Sequence, residues 1–139
     1  MTTPDPMPAT PCATLHVRDA LQVKAPDGSR VHVLLSLAGG SMATFTLQPG
    51  EVSAAVRHRT VEELWYVLGG TGQMWRRDGC GESIADLSPG LCLSVPLGTA
   101  FQFRCTGDMP LVAVAVTMPP WPGDGEALPA PGPWSPPAD

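Results

Sequence analysis

Turn-forming residues recur so closely through the middle of this chain that no helix of ordinary length fits between them. Pro26-Asp27-Gly28, Gly39-Gly40-Ser41, Pro49-Gly50, Gly69-Gly70-Thr71-Gly72, Asp78-Gly79, Ser88-Pro89-Gly90 and Gly107-Asp108 combine the fixed φ of proline, the left-handed freedom of glycine and the local hydrogen bonds of Asp and Ser. The intervening segments are short, apolar and often alternating. They predict strands at 14–17, 21–24, 31–37, 43–47, 53–57, 63–68, 73–77, 83–87, 91–95, 101–105 and 111–117. No long apolar period of 3.6 residues occurs, and there is no internal repeat. The rhythm predicts one all-β sandwich or barrel.

Proline marks off both ends. Pro4, Pro6, Pro8 and Pro11 crowd the first eleven residues, and eight prolines lie between Pro119 and Pro137. Proline can neither donate to a ladder nor continue a helix, so neither end is predicted to be regular. The chain divides into a flexible tail at 1–12, a β-barrel at 13–117 and a C-terminal tail at 118–139. The last carries Trp121, Leu128 and Trp134, whose large apolar surfaces favour docking on the barrel or on a partner.

The 139 residues suffice for one hydrophobic core. The net charge of −5, without a basic cluster beyond Arg57/Arg59 and Arg76/Arg77, argues against nucleic acid as a partner. No apolar run approaches a membrane span. Cys12, Cys80, Cys92 and Cys105 form no CxxC pair, which disfavours zinc ribbons and thioredoxin-like motifs. With no basic and apolar leader visible, the expectation is a cytoplasmic protein with free thiols, Cys92 and Cys105 being small buried hydrophobes.

Two phrases carry more specific information. PGEVSAAVRHRTVEELWYVLGGTG spans 49–72, and PGLCLSVPLGTAFQFR spans 89–104. In the first, Gly50 is followed at set intervals by Val56, His58, Glu63 and Gly70. In the second, Gly90 is followed by Pro96 and Gly98. These spacings, with the Tyr66-Val67-Leu68 phrase, resemble the paired motifs of the cupin superfamily over about residues 42–117. The resemblance implies a single-domain double-stranded β-helix, or jelly roll. It also implies a cavity in which three His and one Glu hold a metal. Here His58 and Glu63 occupy the second-His and Glu positions, and Val56 stands at the first-His position. The third-His position falls on Phe101 by strict count, or on Ala100 if the turn is one residue shorter. Glu62 with Gly69 also fits a shorter spacing, but Glu63 better matches the family phrase.

Alternate residues of a strand share a face. Glu63, Trp65 and Val67 then point one way, and Leu64, Tyr66 and Leu68 the other. In the Ala100 register, Ala100, Gln102 and Arg104 face the cavity with His58 and Glu63, and Phe101 and Phe103 face away. Candidate catalytic residues are accordingly His58, Glu63 and Arg104. Candidate substrate contacts are Trp65, Trp75, Gln102, Val56 and Ala100, with both tryptophans equally readable as core. His58 and Glu63, with waters, are the candidate metal ligands for one weakly held divalent ion (Zn, Fe, Mn or Ni), a site that His16 or His32 could complete. The family likeness implies a small organic molecule in the cavity. Non-redox isomerase, cyclase or lyase chemistry needs only an acid and a base, whereas a protein that has lost metal ligands and kept its barrel is also readable as a binder or sensor. The outward Leu64, Tyr66 and Leu68, with Phe101 and Phe103, predict a homodimer whose apolar face the C-terminal tail helps to cover.

Overall fold

A computed structural model describes residues 10–136. After a 3-10 turn at Val17–Asp19, eleven strands follow in chain order. They are β1 (Leu21–Lys24), β2 (Arg30–Leu37), β3 (Gly40–Leu47), β4 (Val56–His58), β5 (Glu62–Gly69), β6 (Gly72–Asp78), β7 (Gly81–Leu87), β8 (Cys92–Val95), β9 (Ala100–Cys105), β10 (Leu111–Met118) and β11 (Ala127–Pro129). One antiparallel sheet has the order β1-β2-β3-β10-β5-β8 and the other β11-β4-β9-β6-β7. From β3 onward the chain passes repeatedly from one sheet to the other, which is the winding of a jelly roll.

The period-2 pattern explains which faces meet. Along β5, Glu63, Trp65 and Val67 are buried and Glu62, Leu64, Tyr66 and Leu68 exposed. Trp65 packs edge-on against Phe103, ring centroids 5.1 Å apart, and stacks on Phe45 at 4.9 Å. Leu47, Val67, Met74, Leu87 and Leu111 join them in the core between the sheets. The phrase Gly69-Gly70-Thr71-Gly72 reads as a hairpin turn, but β5 and β6 lie in different sheets, so it is a crossover. Gly70 has φ +78°, and a Cβ there would strike the Pro110 carbonyl, so the crossover demands glycine.

Four further expectations are corrected. Residues 14–17 form no strand; the His16 ring instead accepts a hydrogen bond from the Arg18 N–H at 3.1 Å and caps the 3-10 turn. Phe101 and Phe103 point into the core, so the Ala100 register is wrong by one residue and every side chain of β9 changes face. Cys92 is exposed, although Cys105 is buried. The C-terminal tail contains β11, which pairs Ala127 with His58 and Leu128 with Arg57. Its proline lies on an edge strand, where a missing donor is tolerated.

The tail covers the face opposite to the one expected. Gln102 projects from β9 on the outer side of its sheet, where its amide donates to the Ser53 carbonyl at 2.8 Å and the Trp134 carbonyl at 2.7 Å. The Trp134 N–H returns a bond to its oxygen at 3.1 Å. Gly132 meets Gln102 and Ala55 so closely that a Cβ would clash with both. Leu64, Tyr66 and Leu68 lie on the other sheet and remain 55%, 45% and 51% exposed. The flexible tail expected at 1–12 lies largely outside the described residues.

Candidate functional site

Two short strands bring the acid–base candidates together. β4 ends on His58, with Val56 on the same inward face. A three-residue turn, Arg59 to Val61, then leads into β5, where the alternation turns Glu63 and Trp65 inward. Glu63 Oε1 lies 2.8 Å from His58 Nδ1. Trp65 Nε1–H donates to Glu63 Oε2 at 3.2 Å. Glu63 is 3% exposed and His58 7%. The approach of His58 Nδ1 to Glu63 lacks hydrogen-bond direction, and this buried nitrogen has no other partner among the described residues. A buried polar atom in that condition is costly to a fold and is common where a ligand is to be met.

A third buried ionisable group comes from the β1–β2 turn. Asp27 is 7% exposed. Its Oδ1 accepts from the Ser29 N–H at 2.9 Å and the Ser29 hydroxyl at 2.6 Å. Its main-chain carbonyl accepts from the Ala54 N–H at 2.7 Å, tying the turn to the approach to β4. Burial raises the Asp27 carboxyl above its ordinary value; the bonds from Ser29 offset part of that effect, Glu63 adds to it and His58 opposes it.

These groups line a cavity of about 490 Å³, within the size range of small-molecule sites. Its walls include Phe45, Val56, Trp65, Phe101 and Thr117, and the C-terminal tail adds Pro120, Trp121 and Asp124. The His58 ring is met edge-on by Phe101 at 5.3 Å and by Trp121 at 5.1 Å. Trp121 is held there by its N–H bond to Ser41 Oγ at 2.9 Å. Just beyond, Glu126 anchors the tail. It accepts from the Thr60 N–H at 2.6 Å, the Val61 N–H at 2.9 Å and the Thr60 hydroxyl at 2.8 Å. Burial pushes this carboxyl upward, but the bonds from Thr60 and Val61, with a smaller pull from His58, hold it below its ordinary value.

The structure thus brings His58, Glu63, Trp65 and Val56 to one cavity and leaves the other candidates outside it. Arg104 stacks on Trp134, its guanidinium 4.2 Å from the ring centroid, and donates to Gln73 Oε1. Trp75 and Ala100 pack with Ala55, Ala130 and Trp134 beneath the tail. Together with Gln102 they belong to the outer face of β9 and β6, so their placement in the cavity is corrected. The physical reason is burial: two phenylalanines gain more from the core than Gln102 and Arg104, whose polar ends the tail satisfies. Asp27 and Trp121 are functional candidates that sequence reasoning missed. Asp27 sits in a Pro-Asp-Gly phrase that reads as turn chemistry alone.

The donor set does not fit a resident four-ligand metal. Val56 and Phe101 occupy two of the four ligand positions and offer no donor atom. His32 lies on the outer face, its Nδ1 3.3 Å from Thr44 Oγ1, and His16 caps its own turn. Among the described residues no three His, Cys, Asp or Glu side chains gather where an ion could be held.

Residues 43–117 match the family model described as Cupin domain. None of the curated proteins matches the chain. Among solved structures, the oxalate decarboxylase of Lactobacillus farciminis in its formate complex is similar at TM-score 0.69 and 18% identity, over 82% of this chain and 34% of that one. An uncharacterized conserved protein with a double-stranded β-helix domain from Klebsiella pneumoniae is similar at TM-score 0.67 and 17% identity, over 88% and 100% of the two chains. The capsular polysaccharide assembling protein CapF of Staphylococcus aureus is similar at TM-score 0.65 and 17% identity, over 80% of this chain. The chain spans only 34% of the length of CapF. At such identities the likeness shows the fold alone.

Proposed function

The chain belongs to the cupin family, and from that premise we propose that it is a small-molecule enzyme carrying out non-redox proton transfer in its cavity. The observation that carries this reading is the contact of Glu63 Oε1 with His58 Nδ1 at 2.8 Å inside a cavity walled by apolar side chains. An isomerisation, cyclisation or elimination needs one group to remove a proton and another to return it nearby. Glu63 serves as the base, its Oε2 held by the Trp65 indole and its Oε1 beside His58 Nδ1. His58 is the partner that relays or returns the proton. Phe101, Trp65 and Trp121 limit water around the pair. Two protein donors hold a divalent ion weakly, so the chemistry is assigned to the side chains.

One specific observation favours a second reading, a non-catalytic binder or sensor. Val56 and Phe101 replace metal donors while the cavity stays open. Solvent-proton exchange separates the two. The protein in D₂O, with a panel of small ketones and imines, is followed by proton NMR for deuterium entering the carbon beside the C=O or C=N group. Wild type accelerates exchange of at least one compound, and His58→Ala and Glu63→Gln abolish it. Exchange unchanged in both variants refutes the assignment. Saturable binding without exchange favours the binder.

The homodimer is proposed through the outer face of β5 and β10, where Leu64 and Tyr66 pair with Val116 and Val114. No helix among the described residues is long and apolar enough to cross a membrane. A cytoplasmic setting is proposed from the four free thiols.

A further inference from the structure

The ionisable groups around the cavity are unequal in sign. Two carboxylates, Asp27 and Glu63, are more than nine-tenths buried in its wall, and Asp124 lies at its edge. Against them stand His58 and, on exposed β1, Lys24, the single Lys or Arg among the described lining residues. Arg104, which the sequence placed here, stacks on Trp134 instead. Among the described residues neither buried carboxylate is paired with a guanidinium or ammonium group. Among the described residues the Asp27 carboxylate is bonded through one oxygen, to Ser29. Burial of acid groups is unfavourable without a compensating cation, and burial with the nearby Glu63 charge raises the Asp27 carboxyl. In the same wall His58 Nδ1 lies 2.8 Å from Glu63 Oε1 without hydrogen-bond direction, so among the described residues that carboxylate oxygen has no directed donor.

The remaining wall suits the same occupant. Phe45, Trp65, Phe101 and Trp121 line the cavity, and aromatic rings attract cations through their quadrupoles. An anionic molecule would meet Asp27, Glu63 and Asp124 with no arginine to receive it, which opposes binding. A compact organic ammonium would place its N–H donors among the carboxylates and its hydrocarbon against the rings.

We propose that the cavity takes a small organic amine in its protonated form, an alkyl- or arylammonium, and discriminates against carboxylate anions. This rests on the cavity being the working site of the protein and names its ligand class.

Benzylammonium, benzyl alcohol and benzoate share one skeleton and differ in the charge of the substituent. Their binding to the full chain is measured by isothermal titration calorimetry, with quenching of tryptophan fluorescence as a second readout, since Trp65 and Trp121 line the cavity. Benzylammonium is expected to bind about tenfold or more tighter than benzyl alcohol, with benzoate weakest. The ammonium preference should fall by about tenfold in Asp27→Asn and in Glu63→Gln while benzyl alcohol binding changes little. Circular dichroism confirms that each variant is folded, and Asp124→Asn is a third variant should either fail. Benzoate binding as tightly as benzylammonium overturns the charge preference but leaves the cavity as the working site. Preference retained in all folded variants places the cation elsewhere and also overturns the proposal. Absence of saturable binding by all three overturns it together with the cavity reading.

Discussion

Replacing Glu126 with Ala should unfasten the C-terminal tail from the mouth of the cavity. The carboxylate is 4% exposed and accepts from two backbone N–H groups and a hydroxyl. Val61 is 1% exposed, so its N–H is left without water when the acceptor goes. An orphaned buried donor costs about 1–3 kcal/mol, and exchanging the Thr60 bonds for water adds about 1 kcal/mol, giving a loss of about 2–4 kcal/mol. For a chain of this size that is a fall in Tm on the order of 10 °C. Glu126→Gln keeps an oxygen acceptor and loses only the strengthening due to charge, so about 1 kcal/mol is expected. The pH dependence has a definite sign. The folded carboxyl lies below its ordinary 4.5, so its contribution is complete above that value and is lost as pH falls through the folded pKa. Urea denaturation of wild type and Glu126→Ala at neutral pH and at about pH 3 tests both points. A gap below about 0.5 kcal/mol at neutral pH, or one that widens on acidification, refutes the clamp.

The remaining predictions concern the cavity and the exposed sheet. His58→Ala and Glu63→Gln should each lower turnover by about 10²-fold or more while leaving the fold intact; retained turnover in both places the chemistry elsewhere, and heavy loss of stability in both favours a structural pair. Asp27→Asn should raise Tm at neutral pH, because a carboxyl raised in the fold favours folding when protonated and opposes it as pH climbs through the folded value; Asn can still accept from Ser29, and a lower Tm would contradict the assignment. Tyr66→Glu places a charge on the exposed face of β5 and should shift a dimer to monomer in sedimentation velocity at micromolar concentration. A wild-type monomer at the same concentration refutes that interface.

The fold was legible because its signals are local. Turn residues bounded nearly every strand, and the alternation along β5 placed Glu63 inward and Glu62 outward. Strand 21–24 was placed at its observed bounds, and most others within a few residues. What failed depended on tertiary partners. Residues 101–105 alternate as clearly as β5, but the shorter-turn alignment that puts the third-His position on Ala100 argued for the wrong face. Only the tail, which satisfies Gln102 and stacks on Arg104, makes the outward position of those two polar side chains favourable. β11 was hidden because its partner strand is distant in sequence and prolines flank it. Within the candidate site, the inward placing of His58 and Glu63 was readable from spacing. The placing of Asp27 and Trp121 was not, since it arises from long-range packing that brings a turn and a tail to β4.

His58 and Glu63 are proposed to act as an acid–base pair on a bound organic molecule, and native mass spectrometry of purified protein with parallel elemental analysis is the decisive test. An organic adduct is expected that is retained at neutral pH, diminished in Glu63→Gln, and accompanied by substoichiometric divalent metal after dialysis. A stoichiometric metal that survives dialysis and disappears in both His58→Ala and Glu63→Gln, with no organic adduct, would contradict it.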